Sequence, residues 1–169
     1  MKYGRIIHYW NYSPAEVNVI ISIGSILGWI MIMFLFKGNN KNQIIFNRLL
    51  LVIDIVLVVT FTISMRSRNE TAIICLTPFN ALLRGRTSPT NYKQIWINIL
   101  MFLPLGMSLP SGFKFSWKQT VAVGFVFSVC IELIQFIAKM GVSEIDDVLA
   151  NTLGVIIGVV CCNIVKKFG

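Results

Sequence analysis

Apolar residues run along this chain in blocks of about twenty, separated by short basic or glycine-rich stretches. Residues 17–36 carry no charged side chain and are long enough to cross a hydrocarbon core as one helix. A basic turn, KGNNK, follows at residues 37–41. The second block covers about 44–65, with Asn47 and Arg48 near its start and Asp54 near its middle, and it closes on Arg66 and Arg68. The third, about 92–109, contains Pro104, which removes one helical hydrogen bond and predicts a kink. The fourth covers about 119–140, and the fifth about 145–165, closed by Lys166 and Lys167. Between the second and third blocks lies a long connection, 67–91. Its apolar stretch 71–83 is too short to span and is broken by Pro78, which suits a re-entrant or interfacial segment. The pattern predicts an all-α, polytopic transmembrane bundle of about five spans, a single membrane domain over residues 1–169. Residues 1–16, with Lys2, Arg5, Tyr9, Trp10 and Tyr12, read as an interfacial lead-in. The first block is too long for a signal-peptide core and no A-x-A pattern follows it, so it reads as a retained helix.

Composition agrees with the pattern. Hydrophobic residues are 56% and charged residues 13% of the chain, against about 25% charged in ordinary globular proteins. Mean hydropathy is +0.75. So little charge cannot coat a surface in water. The net charge of +8 comes from residues lying almost wholly between the apolar blocks, where they anchor helix ends. That placement argues against a nucleic-acid partner. Lys37, Lys41, Arg48, Lys166 and Lys167 nearly balance Arg66, Arg68, Arg84, Arg86 and Lys93 on the opposite face. The resulting orientation leans towards an outside N-terminus. The four cysteines, Cys75, Cys130, Cys161 and Cys162, show no CxxC spacing, and His8 is remote from them. They read as small apolar residues; no metal site, disulfide framework or cofactor is expected.

The polar residues inside the blocks carry the chemistry. An acid near a bilayer centre costs about 2.5–3.5 kcal/mol on insertion scales, so such residues face protein or a wet cavity. Ser128, Glu132, Gln135 and Lys139 are spaced by four, three and four, which places them on one helix face. Asp147, Asn151, Gly154 and Gly158 repeat that spacing in the fifth span. Gly154 and Gly158 form GxxxG; Gly24 and Gly28, and Gly124 and Ser128, are similar small pairs. The parity of five spans puts Asn98, Glu132, Gln135, Asp146, Asp147 and Asn151 towards one leaflet. Asn80, Arg84, Arg86 and Asn91 join them from the connection, and Asp54 is expected at the bottom of the group. Simpler readings exist for single members. Ser143 and Asp146 fit a capping box, Glu132 fits a structural partner of an arginine, and the arginines fit plain interface anchors.

Four motifs in order resemble the VanZ-like family. They are Leu76-Thr77-Pro78-Phe79; Asn98 with Phe102-Leu103-Pro104-Leu105-Gly106; Glu132-Leu133-Ile134-Gln135; and Asp147 followed by Asn151 and Gly154. The resemblance covers about residues 75–158 and leaves the first span outside it. Where many relatives place an arginine before the acidic turn, this chain has Lys139-Met140-Gly141. The resemblance implies a multi-pass protein of the bacterial plasma membrane, linked to glycopeptide resistance, chiefly of the lipid-tailed teicoplanin type. The expectation is an outer-leaflet pocket lined by Asn98, Glu132, Gln135, Asp146, Asp147 and Asn151, with Arg84 and Arg86 on phosphate. Its ligand would be an anionic envelope lipid, such as a lipid-linked cell-wall precursor, or the lipoglycopeptide; a homodimer is left open. The alternative is an enzyme acting on a polyprenyl (pyro)phosphate, with Glu132 or Asp147 as general base or ligand of a divalent metal. The chain lacks a nucleophile–base pair, which favours binding over catalysis. It also lacks the inverted repeat of common transporters.

Overall fold

The computed structural model describes residues 14–37, 39–64, 73–79, 89–140 and 142–168. In chain order these form α1 (Pro14–Leu35), α2 (Asn40–Val59), β1 (Ile73–Cys75), α3 (Pro89–Gly112), α4 (Trp117–Ile137), β2 (Val142–Glu144) and α5 (Ile145–Phe168). A π-helical turn over Thr60–Ser64 prolongs α2. Among the described residues five helices are long and apolar enough to cross a membrane, as the apolar blocks predicted. Local chemistry fixes some of their starts. The Asn39 side chain accepts the Asn42 N–H at 3.2 Å and opens α2. Ser116 and Gln119 form a reciprocal capping box that opens α4.

The bundle is apolar outside and mixed within. Leu27, Phe34, Val52, Val126 and Ile137 are exposed, while Asn47, Asn98, Ser108, Thr120 and Ser128 are buried. That distribution suits lipid, which welcomes the first set and offers the second no hydrogen bond. Helix α3 is the axis, packing against α1, α2, α4 and α5. Phe102, Leu105 and Met101 of α3 meet Leu51 and Val58 of α2, Ile131 of α4 and Val155 of α5 in the main core. Trp29, Met107 and Cys162 centre a second cluster at the other end. Helix α3 continues through Pro110 to Gly112, beyond the end expected at about 109. Arg48 and Lys166 hold this end, donating to the Gly112 and Pro110 carbonyls at 2.9 and 3.3 Å.

Glycines let α3 and α5 touch through their backbones. A Cβ on Gly154 would strike the Ile99 carbonyl oxygen, one on Gly158 the Leu103 carbonyl, and one on Gly106 the Val155 carbonyl. The GxxxG pair of the fifth span is therefore a true packing surface. The pair in the first span is not. Gly24 has nothing within 4 Å of its ideal Cβ and Gly28 only the tip of Leu50 at 4.0 Å, because α1 meets its neighbours through other faces.

The connection after α2 holds a feature the apolar pattern did not suggest. Its described part, 73–79, is a strand and a turn. β1 pairs in parallel with β2, Ile73 opposite Val142 and Cys75 opposite Glu144. The connection is thereby pinned to the turn between α4 and α5.

Replacing Gly154 with leucine forces α3 and α5 apart and should cost at least about 1–3 kcal/mol, the usual penalty of overpacking. Thermal unfolding in detergent reads this as a lowered midpoint, whereas Gly24→Leu, on an open face, leaves the midpoint unchanged.

Candidate functional site

The polar residues of α3, α4 and α5 meet at the end of the bundle where β1 and β2 lie. Asn98 donates its amide to Asp147 Oδ1 at 2.8 Å, and both are buried. Gln94, one turn earlier on α3, donates to Asn98 Oδ1 at 3.1 Å. This relay orients the Asn98 amide so that its N–H group faces the carboxylate. Asn151, one turn after Asp147, donates to Ser128 Oγ at 2.8 Å and so ties α5 to α4.

Glu132 sits one turn beyond Ser128 on α4 and is buried. Its Oε2 accepts the Ser143 hydroxyl at 2.9 Å and the Glu144 N–H at 3.1 Å. The same hydroxyl is 2.6 Å from the Glu132 carbonyl, so one proton is shared between two acceptors. Gln135 donates to the Thr62 carbonyl at 2.9 Å, within the π-helical turn. That turn misaligns the usual ladder and frees carbonyls for side chains. Asp146 accepts the Phe79 N–H at 2.6 Å, fixing a residue that holds a left-handed φ of 56°.

These bonds sort the expected residues. Asn98, Glu132, Gln135, Asp146, Asp147 and Asn151 gather at one end of the bundle. Arg84, Arg86 and Asn80, and the side chain of Asn91, lie outside the described residues. The capping-box reading of Ser143 and Asp146 gives way, because Ser143 is committed to Glu132 and Asp146 binds the Phe79 backbone. Lys139 leaves the stripe: α4 ends at Ile137, and Lys139 is exposed with φ 55°. Thr120 and Gly124 extend the stripe instead in the other direction, buried with Ser128, Glu132 and Gln135. Asp54 is not the floor of this group. It lies against α1, in a cavity with Asn18, Ser22 and Ser25.

Two polar features escaped the sequence reading. Gln94 precedes Asn98 by four residues, a spacing that could have flagged it. Asn18, Ser22 and Ser25 are spaced by four and three, the same stripe signature as in α4. One atom of the cluster is left over. Asn151 is 3% exposed, yet among the described residues its Oδ1 has no hydrogen-bond donor. A buried acceptor without a donor is costly, and it marks where a donor group from outside would gain most.

Five spanning helices around an internally bonded polar cluster define a polytopic α-helical membrane protein. A family model described as VanZ/LLP1 matches residues 23–166, and the chain belongs to that family. It is 34% identical over 84 residues to Protein VanZ of Enterococcus faecium. That match covers 49% of this chain and 48% of the relative, so the alignment spans about half the length of either protein. No solved structure matches.

Ser143→Ala removes a donor from buried Glu132 and should lower stability by about 1–3 kcal/mol. Ser143→Thr keeps the hydroxyl and should lose much less; denaturation of the purified protein in detergent compares the two.

Proposed function

We propose that this protein contributes to resistance against lipid-tailed glycopeptide antibiotics of the teicoplanin type, by binding an anionic envelope lipid or the antibiotic itself. Binding takes place in the outer leaflet of the bacterial plasma membrane. The similarity to Protein VanZ supports the biological context. The observation that carries the site is the unsatisfied Asn151 amide oxygen among buried Asn98, Glu132, Gln135 and Asp147. A sugar hydroxyl or peptide N–H of the ligand donates to that oxygen. Arg84 and Arg86 meet phosphate or carboxylate, for which the guanidinium fork is suited.

Binding rather than turnover is favoured by how the acids are used. Asp147 holds Asn98, Glu132 holds β2, and Asp146 holds Phe79. Carboxylates committed to such bonds organise a site better than they shuttle protons.

Expression in a susceptible Gram-positive host should raise tolerance to teicoplanin well above any change for vancomycin. Asn151→Ala, at an unchanged membrane level, should remove most of the gain. Equal susceptibility with and without expression, for both drugs, would refute the resistance role. Full retention of the gain in Asn151→Ala would refute the site.

A further inference from the structure

Helix α1 presents a polar face of its own, and that face meets the membrane-embedded acid of α2. Asn18, Ser22 and Ser25 line one small cavity together with Asp54 and, from the core side, Phe61 and Pro104. Asp54 is 3% exposed, Ser22 6% and Ser25 7%. The Ser25 side chain hydrogen-bonds the Asp54 carboxyl. Among the described residues the other carboxylate oxygen, Oδ2, has no partner, and neither does Asn18 Oδ1. Asn18 Oδ1 only accepts, and so does Asp54 Oδ2 while the carboxyl is ionised. With the carboxyl ionised, two lone acceptors lining one small cavity repel each other unless something positive stands between them.

We propose that Asp54, Asn18, Ser22 and Ser25 bind a single sodium ion inside the membrane. All the side-chain donors are oxygens, the preference of a hard cation. One carboxylate neutralises one monovalent charge, whereas a divalent ion would leave a net charge among lipid-embedded helices. The cavity leaves about 10 Å³ for a water-sized occupant, room for one small ion or water and nothing larger. The helices around it are irregular in the manner that frees backbone acceptors. Pro104 has no N–H, so the Leu100 carbonyl loses its usual helical partner. Phe61 belongs to the π-helical turn that follows α2. Interrupted helices with freed carbonyls are a recurring way for membrane proteins to hold alkali ions. The site is separate from the Asn98–Asp147 cluster and does not depend on the resistance role.

A proton and a water molecule are the competing occupants, and unfolding in different salts separates them. The purified full chain in detergent should melt several degrees higher in sodium chloride than in potassium or N-methylglucamine chloride at equal ionic strength, with a saturable dependence on sodium. Among the residues lining the cavity from α1, α2 and α3, Asp54 is the single titratable side chain. Acidification should therefore weaken the sodium effect by competition at that carboxylate. Asp54→Asn, which keeps the shape and removes the charge, should fold and lose the sodium effect. Asn18→Ala should raise the half-saturating sodium concentration by about tenfold, the loss of one ligand. Direct binding of radioactive sodium to the wild-type protein gives a reading independent of any variant's folding. Identical melting in all three salts, absence of sodium binding, or a sodium effect that survives in Asp54→Asn would each overturn the proposal.

Discussion

The close approach of α3 and α5 is the constraint on which the rest of the bundle depends. In lipid no hydrophobic force drives helices together, so association rests on packing and on hydrogen bonds between them. Gly106, Gly154 and Gly158 remove the side chains that would keep the two backbones apart. The two helices run in the same direction, Ile99 touching Gly154 and Leu103 touching Gly158. Towards the β1–β2 end of that contact Asn98 reaches Asp147. With α3 and α5 fixed, Asn151 finds Ser128 and brings in α4, and Glu132 in turn secures β2. A polar cluster that would be expensive singly becomes tolerable because each helix satisfies another's side chains.

The same economy explains what the sequence could and could not reveal. Twenty-residue apolar blocks are set by bilayer thickness, so the five spans were legible from the order of apolar residues alone. The Ser128–Glu132–Gln135 stripe was legible because helical periodicity places those residues on one face whatever they meet. Partners were not. Nothing in the spacing of Asp54 says that it turns to Ser25 of α1 and not to the cluster of α3–α5, since that choice depends on how whole helices dock. The β1–β2 pairing was equally hidden. Three apolar residues, Ile73, Ile74 and Cys75, show no period, and their partners lie far along the chain. Lys139 illustrates a third limit. Extrapolating the helical stripe by one turn overran the end of α4, where the backbone turns left-handed. The small pair Gly24 and Gly28 shows a fourth, because GxxxG permits a close approach without requiring one.

A division of labour emerges among the buried polar groups. Most hold the fold: Asp146 anchors the turn at Phe79, Glu132 anchors β2, and Gln135 binds the π-helical turn after α2. These bonds assemble two connections and the end of α2 at one end of the membrane domain. Among the described residues several buried polar atoms stay unpaired, and two of the places are Asn151 in the cluster and Asp54 with Asn18 beside α1. Structural polar groups are satisfied within the protein, and such exceptions call for an explanation from outside it. The two differ in kind. Asn151 offers a neutral amide oxygen near a membrane surface, and Asp54 offers a carboxylate at mid-depth.

Amide and acid pair directly across α3 and α5, and exchanging the two tests that pairing most directly. Asn98→Asp alone places two carboxylates together and should lower thermal stability sharply. Adding Asp147→Asn recreates the pair in reverse and should recover most of that loss, a coupling of about 1–2 kcal/mol. Losses that simply add, with no recovery in the exchanged pair, would mean that the two side chains do not meet.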